Sequence, residues 1–167
     1  MSDSHKLVLR FGLPAAFLVA LQLVPYGHDR SNPPDGQQPA WDSRQTEDLA
    51  QRACYDCHSN RTRWPWYASV APVSWRIHHH VREGREKLNF TAFDPGNETT
   101  SESASEAGEA VTKGKMPPRD YLLMHPEAWL SGADRRALAN GLDVTFAAYS
   151  GPEESEESEE RGRSRKD

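Results

Sequence analysis

Cysteine is scarce in this chain, which has only two cysteines, Cys54 and Cys57, among 167 residues. Because they lie three positions apart in one short motif, cysteine pairing cannot cross-link distant parts of the chain. A framework of several disulfides, which supports many small secreted domains, is therefore excluded. The cellular compartment must be inferred from the N-terminus instead.

Excess positive charge is also absent. The chain has 20 Lys and Arg against 25 Asp and Glu, a formal net charge of -5. Seven acids and four bases fall in residues 150–167, so the rest of the chain is close to neutral. No region is basic enough to indicate nucleic-acid binding. The apolar content of 36% is sufficient for one domain with a modest core.

Charged residues are missing from Phe11 to Val24, a run that Lys6 and Arg10 precede. This pattern predicts a membrane-targeting segment over residues 1–27. Its apolar run of about 14 residues lies between a secretory h-region and a full span in length. Because no small-residue cleavage site follows the run, we expect an uncleaved signal anchor with a transmembrane helix. A removed signal peptide and a buried core helix are the alternatives. The cationic flank predicts a cytoplasmic N-terminus with the remainder outside.

The motif C-x-x-C-H at Cys54, Cys57 and His58 is typical of covalent haem attachment. Two thiols on one helical turn can each form a thioether to a haem vinyl group, and the next imidazole can bind the iron. The motif therefore predicts one haem c, with His58 as proximal ligand. A thioredoxin-like dithiol and a structural zinc module that adds His80 are the alternatives.

The spacing of apolar residues predicts an all-α domain over residues 42–149, joined to the anchor by a proline-rich linker over residues 28–41. One helix is expected to begin after Asp42 or Ser43 and to run to Cys57, so that both thiols lie on its apolar face. A second is expected from Pro72 to about Lys87.

Farther along, residues 94–107 predict a polar loop that leads into a short helix, which Gly114 ends. A closing helix follows Ser131, with Gly141 leaving room for close packing. The charged residues 150–167 predict a disordered tail.

Aromatic residues follow the motif closely, and Trp64, Trp66 and Tyr67 are candidates to line the haem pocket, with ordinary core packing as the alternative. Arg61 and Arg63 are candidates to pair with haem propionates or to lie solvated at the surface.

Met116 is the candidate distal ligand to the iron. The two prolines that follow hold its backbone out of the helical region and stiffen the loop, so its thioether can be held in a fixed position. It also precedes the closing helix, as the distal methionine does in small c-type cytochromes. His80 on the second helix, and Met124 or His125 nearby, are the alternatives.

Several short blocks accompany the motif: Trp64-Pro65-Trp66-Tyr67, Ala71-Pro72-Val73-Ser74-Trp75, His80-Val81, Glu83-Gly84-Arg85, Leu88-Asn89-Phe90 and Lys115-Met116-Pro117-Pro118. Together with the stretch from Cys54 to Asn60 they closely resemble the bacterial haem-binding domain family of small membrane-anchored c-type cytochrome-like proteins. The resemblance runs from about Val24 to Leu142. It implies one covalent haem, a helical fold and an extracytoplasmic location, without a defined reaction or partner.

The sequence therefore predicts an all-α, cytochrome c-like domain that carries single electrons at the outer side of the cytoplasmic membrane, facing the periplasm or cell exterior. We expect an electron carrier rather than an enzyme, whose redox protein partners the sequence does not name. A haem-based sensor or peroxidase-like enzyme with an open sixth position is the first alternative, and the zinc module is the second.

Overall fold

The structure, a computed structural model, describes residues 8–149. The predicted tail and the first seven residues of the predicted anchor lie outside the described residues. Between residues 8 and 149 the regular structure is helical and no strand is formed, so the predicted all-α class is confirmed there. The elements are a π-helix (Val8–Gly12), α1 (Leu13–Leu21), α2 (Arg44–Ala53), α3 (Tyr55–His58), a 3₁₀ turn (Trp66–Ser69), α4 (Val73–Lys87), α5 (Glu98–Ser105), α6 (Ala107–Thr112), α7 (Arg119–Leu122), a second 3₁₀ turn (Pro126–Ala128) and α8 (Gly132–Ala147).

The closing helix α8 is the centre of the core, and it packs against α2, α5 and α6. Two glycines allow these close approaches. A Cβ on Gly141 would overlap the side chain of Thr46 on α2, and a Cβ on Gly108 would overlap that of Asp143 on α8. The predicted packing role of Gly141 is therefore confirmed. The buried apolar cluster around these contacts comprises Leu49, Ala50, Tyr55, Leu88, Phe90, Phe93, Ala104, Val111, Leu138, Ala139, Leu142 and Phe146.

Side-chain caps begin α2 and α8 as predicted. The Ser43 hydroxyl accepts a hydrogen bond from the Thr46 backbone N–H at 3.2 Å, and the Ser131 hydroxyl accepts from that of Asp134 at 3.0 Å. The prediction that the first helix runs unbroken to Cys57 is wrong. At Cys54 the backbone turns out of the helical region, with φ -124°, so α2 ends at Ala53 and the short α3 carries Cys57 and His58.

The stretch predicted as a polar loop also differs, because α5 occupies Glu98–Ser105. The Asn97 side chain caps this helix by accepting from the Thr100 backbone N–H at 3.1 Å. Thr100 and Ala104 are then buried four positions apart, a spacing that places both on one face. The next helix ends as predicted: Gly114, with φ +68°, follows α6 in the left-handed region that favours glycine.

Residues 28–41, predicted as a linker, run along the surface of the helical domain. The Gly36 N–H donates to the Thr91 carbonyl at 2.6 Å, and the Phe93 N–H donates to the Gln37 carbonyl at 2.8 Å. The Asn60 side chain donates to the Pro34 carbonyl at 2.9 Å. This segment is therefore held against Asn60, just after the C-x-x-C-H motif, and against residues 91–93, which follow α4.

The N-terminal helix α1 buries none of its residues. Just after it, the Gln22 side chain forms two hydrogen bonds with the backbone of Ala71, donating to its carbonyl at 3.1 Å and accepting from its N–H at 2.9 Å. Gly27, with φ +74°, lies so close to the Ser74 backbone that a Cβ would be 3.0 Å from it. The N-terminal segment is thereby attached to the start of α4.

Within residues 8–149 we find no helix with both the length and the apolar character needed to cross a bilayer.

Candidate functional site

A cavity of about 320 Å³ lies where α3, α4 and α6 approach the loop after α6. Its lining includes Cys54, Cys57, His58 and Met116, the four residues predicted from the sequence to bind the haem and its iron. The volume lies within the range of about 300–1,000 Å³ typical of small-molecule and cofactor pockets. The remaining wall is largely apolar, with side chains from Ala53, Leu88, Phe90, Ala107, Ala110, Val111, Pro117 and Leu142.

The imidazole of His58 is oriented by a hydrogen bond to the backbone of Leu88. Its Nδ1 lies 2.9 Å from the Leu88 carbonyl oxygen, which can only accept, so Nδ1 carries the proton. Nε2 then keeps its lone pair and is the nitrogen available to a metal. Burial lowers the pKa of His58, although its backbone hydrogen bonds act in the opposite direction, so the neutral ligating form is favoured.

Residues 88–91 and Arg85 hold the backbone around His58. The Phe90 N–H donates to the His58 carbonyl at 2.8 Å, and the Asn60 N–H donates to the Thr91 hydroxyl at 2.7 Å. The Arg85 guanidinium donates to the Ser59 carbonyl at 2.9 Å. The family-like blocks that are separate in sequence thus form one hydrogen-bonded frame for the motif.

α3 also lies directly against α4, because Gly84 faces it. A Cβ on Gly84 would be 2.5 Å from the Cys57 carbonyl oxygen. The absence of a side chain at this position therefore lets the motif approach α4.

The two thiols are free and partly exposed to the cavity. Burial raises the pKa of Cys54 to about 12, with a smaller contribution from Cys57. Burial, and next the charge of Asp56, raises the pKa of Cys57 to about 11. Reactive dithiols have lowered thiol pKa values, so these shifts argue against the thioredoxin-like alternative.

Met116 lies in the loop between α6 and α7, with 36% of its surface exposed. Its backbone N–H donates to the Ala110 carbonyl at 3.2 Å, which fastens the loop to α6. Of the alternative ligands, His80 also lines this cavity, whereas Met124 and His125 line a second cavity.

The second cavity measures about 250 Å³ and shares Cys57, His80, Pro118 and Tyr121 with the first. Next to the shared wall lies the buried carboxylate of Asp56, which directly precedes Cys57 in the motif. It accepts from the Tyr121 hydroxyl at 2.8 Å and pairs with the Arg63 guanidinium at 3.2 Å.

Burial and the neighbouring Asp56 raise the pKa of Tyr121, so its hydroxyl keeps the proton that it donates. This pairing joins α7, and with it the loop of Met116, to the motif in α3.

Of the three aromatic residues predicted to line the haem pocket, one lines either of these cavities. Tyr67 lines the second cavity. Trp64 lines neither and donates through its indole to the Asn32 side chain at 3.2 Å, while Trp66 lines neither and is 79% exposed.

The aromatics of the first cavity are instead Phe90, whose ring centroid lies 6.1 Å from that of His58, and Tyr121. Their positions in the sequence could have indicated both residues. Phe90 lies within the Leu88-Asn89-Phe90 block, and Tyr121 follows shortly after the Met116-Pro117-Pro118 block.

The arginines considered for haem propionates pair with carboxylates of the chain. Arg61 forms an ion pair with Asp35 at 2.7 Å, and Arg63 pairs with Asp56. Of the two, Arg63 lines the second cavity.

The residues of the first cavity fit a haem bound through the C-x-x-C-H motif, since two free thiols, an available imidazole nitrogen and a thioether share one apolar cavity. For the zinc alternative, residues 8–149 contain no group of three or more His, Cys, Asp or Glu side chains that could hold a metal ion.

Comparison with known proteins supports haem binding. A family model described as a haem-binding domain matches residues 16–143, which include every residue of the first cavity. No curated protein and no solved structure matches the chain significantly. Because the family model covers most of its length, the chain belongs to the haem-binding domain family.

Proposed function

We propose that this protein is a mono-haem c-type cytochrome-like electron carrier. Haem would be held by thioethers to Cys54 and Cys57, with His58 as the proximal ligand and Met116 as the distal ligand. The observation that carries the proposal is that these four side chains line one cavity, with His58 Nδ1 2.9 Å from the Leu88 carbonyl oxygen.

Bound haem supplies a one-electron couple between ferrous and ferric iron. The chain's own residues set the conditions for that couple. Leu88 fixes the ring orientation and tautomer of His58 through its carbonyl. The apolar part of the wall, including Val111 and Leu142, offers an apolar surface to the haem. A methionine as second ligand raises the reduction potential relative to a second histidine and leaves no open position for a substrate.

Association with the outer side of the cytoplasmic membrane is a further part of the proposal. It is supported by the uncharged run from Phe11 to Val24 and by the exposure of its apolar side chains, since Phe17 and Val19 are 64% and 65% exposed. Such a continuous exposed apolar surface is rare in soluble monomers. The full chain should sediment with membranes and be released by detergent. Recovery as a soluble protein lacking residues 1–27 would contradict this part.

The distal ligand is tested by Met116→Ala in the haem-loaded protein. The wild type should show the weak near-infrared charge-transfer band of thioether-ligated ferric haem and should resist carbon monoxide. The variant should lose the band, bind carbon monoxide and have a lower reduction potential.

Met124→Ala is the matched control, because Met124 is also exposed but does not line the first cavity. If the wild type binds carbon monoxide readily and Met116→Ala leaves the spectrum unchanged, the sixth position is open or held by His80. The sensor or enzyme alternative would then replace electron transfer.

A further inference from the structure

We propose that the second cavity binds a membrane-dissolved quinol and passes its electrons to the haem of the first cavity. This inference rests on the proposed function, because it requires a reducible haem next to Cys57. It would make the protein a quinol oxidoreductase in addition to a carrier.

The second cavity has the size and the lining that suit an aromatic head group. Its volume of about 250 Å³ lies just below the range for drug-sized ligands. One side is apolar, formed by Pro65, Val73, Ile77, Val81 and Met124. Sites of this kind bind flat apolar rings and use a few polar groups to orient them.

His125 supplies the polar group that a quinol hydroxyl requires. Its Nδ1 lies 2.9 Å from the Tyr121 carbonyl oxygen and therefore carries the proton, so Nε2 is an acceptor. The Tyr67 hydroxyl reaches that Nε2 only at 3.4 Å, which is long for a hydrogen bond. The Tyr121 ring stacks on the imidazole at 4.0 Å and fixes its plane. A ligand hydroxyl can therefore donate to Nε2 in place of Tyr67.

Four residues, among them Cys57 and Tyr121, form part of both cavities. A ring in the second cavity would therefore be separated from the haem site by single side chains. This proximity is the condition for direct electron transfer between the two.

The apolar surface near the second cavity supplies a route from the membrane. Val73 and Met124 line the cavity and are 47% and 59% exposed. Trp66 is 79% exposed and packs edge-on against Tyr67, which lines the cavity, with the two ring centroids 5.7 Å apart. Exposed tryptophans beside apolar residues are typical of contact with a membrane interface.

The same surface is continuous with the N-terminal segment. The Gln22 side chain is bonded to the Ala71 backbone, two residues before Val73. The apolar run ending at Val24 is thus attached beside the cavity, which favours a ligand dissolved in the bilayer over a water-soluble one.

The reaction balances without a further oxidant. Oxidation of one quinol to the quinone releases two electrons and two protons, and each electron reduces one ferric haem to ferrous haem. Because each chain holds one haem, a quinol gives one electron to one chain and leaves as a semiquinone. Two semiquinones then disproportionate to one quinone and one quinol, so two haem reductions consume one quinol overall. The first proton passes from the quinol hydroxyl to His125 Nε2, and the second passes to solvent.

The test uses the full haem-loaded chain in detergent micelles and a short-chain para-benzoquinol as the probe. Stopped-flow absorbance should show ferrous haem forming, with half an equivalent of quinol consumed per haem. His125→Phe keeps an aromatic ring for Tyr121 and removes the acceptor, so it should slow reduction by quinol about 10²-fold. Reduction by ascorbate and the haem spectrum should not change.

His79→Phe is the matched control, because His79 lies on the exposed face of α4 and lines neither cavity. Its haem should be reduced by the quinol at the wild-type rate. A second variant, Val73→Trp, fills the cavity from a different element and should slow quinol oxidation without affecting ascorbate.

Two results would overturn the inference while leaving the proposed function intact. In the first, haem that ascorbate reduces is not reduced by quinol. In the second, His125→Phe and Val73→Trp both react with quinol at the wild-type rate. A chain that carries no reducible haem would overturn the proposed function itself.

Discussion

The two sides of the first cavity are built differently. On the His58 side, the imidazole is bonded to Leu88 and the neighbouring backbone is held by hydrogen bonds from Phe90 and Arg85. On the Met116 side, the ligand candidate lies in an exposed loop. Its own backbone N–H bond goes to Ala110 in the preceding helix.

This contrast separates two ways of positioning a ligand. His58 is oriented by contacts with a segment 30 residues away, so its side is fixed by tertiary structure. Met116 is positioned by its own loop, through the two following prolines and Gly114. We therefore expect substitutions on the His58 side to affect haem binding more than those on the Met116 side.

The largest effect should come from removing the two ligands in turn. His58→Ala removes the one ligand that is oriented by tertiary contacts, and should reduce the haem bound per mole of protein by at least about tenfold. Met116→Ala should retain most of its haem, because His58 and its orienting hydrogen bond to Leu88 remain. Haem content is measured by the pyridine haemochrome spectrum, with His79→Ala as control. Equal losses in both variants would remove the distinction between the two sides.

A smaller effect is expected where α3 meets α4. In Gly84→Ala the new methyl group would be 2.5 Å from the Cys57 carbonyl oxygen, so the backbone must shift. Such overpacking costs about 1–3 kcal/mol in the free energy of unfolding. Urea denaturation of the haem-loaded protein measures it.

Gly132→Ala is the control, since its Cβ would be 3.7 Å from an Arg136 nitrogen at the tip of that side chain. It should be neutral or slightly stabilising. Equal stability of the two alanine variants would contradict the close approach of Cys57 to Gly84 on α4.

The contact between the motif in α3 and the segment that carries Met116 can be weakened at Asp56. Asp56→Asn removes the buried charge that accepts from Tyr121 and pairs with Arg63. Because the Arg63 side chain is largely exposed, its ion pair contributes little to stability. We expect a loss of about 1–2 kcal/mol in the free energy of unfolding, mainly from the hydrogen bond with Tyr121. Asp48→Asn, in an exposed pair with Arg44, should change stability by less than about 0.5 kcal/mol. Identical urea midpoints for the two variants would contradict the linkage.

The smallest effect should come from the ion pair that joins α7 to α4. Arg76 donates to Asp120 at 2.7 Å, and this hydrogen bond is the main reason that the pKa of Asp120 is lowered. A lowered carboxyl pKa stabilises the folded state above the unfolded pKa, and that stabilisation is lost as the pH falls through the folded pKa.

The stability difference between wild type and Asp120→Asn should therefore be present at pH 6 and shrink below about pH 4. At an exposed site it should not exceed about 1 kcal/mol. Thermal unfolding of both proteins across that pH range measures this difference. A difference that grows as the pH falls would contradict a lowered pKa for Asp120.

Local signals in the sequence predicted much of the fold. The caps at Ser43 and Ser131 and the left-handed Gly114 depend on neighbouring residues, which explains why they were predicted correctly. The break at Cys54 and the helix α5 were missed, because apolar spacing shows which residues share a face but not where tertiary contacts interrupt or extend a helix.

The candidate site shows the same division. The motif and the proline pair identified Cys54, Cys57, His58 and Met116 directly. The carbonyl of Leu88 that orients His58 has no sequence signature, because any residue supplies a carbonyl and the contact spans 30 positions. Trp64 and Trp66 were chosen for their nearness in sequence, which does not determine which aromatic side chains line a cavity.

Covalent attachment of haem to Cys54 and Cys57 is the central claim, and intact mass spectrometry after denaturation tests it most directly. The chain should be produced in a bacterial host that has the machinery for haem attachment. We predict the mass of the polypeptide plus one haem, with neither thiol reacting with an alkylating reagent. The mass of the bare polypeptide, with two thiols that alkylate, would contradict the account.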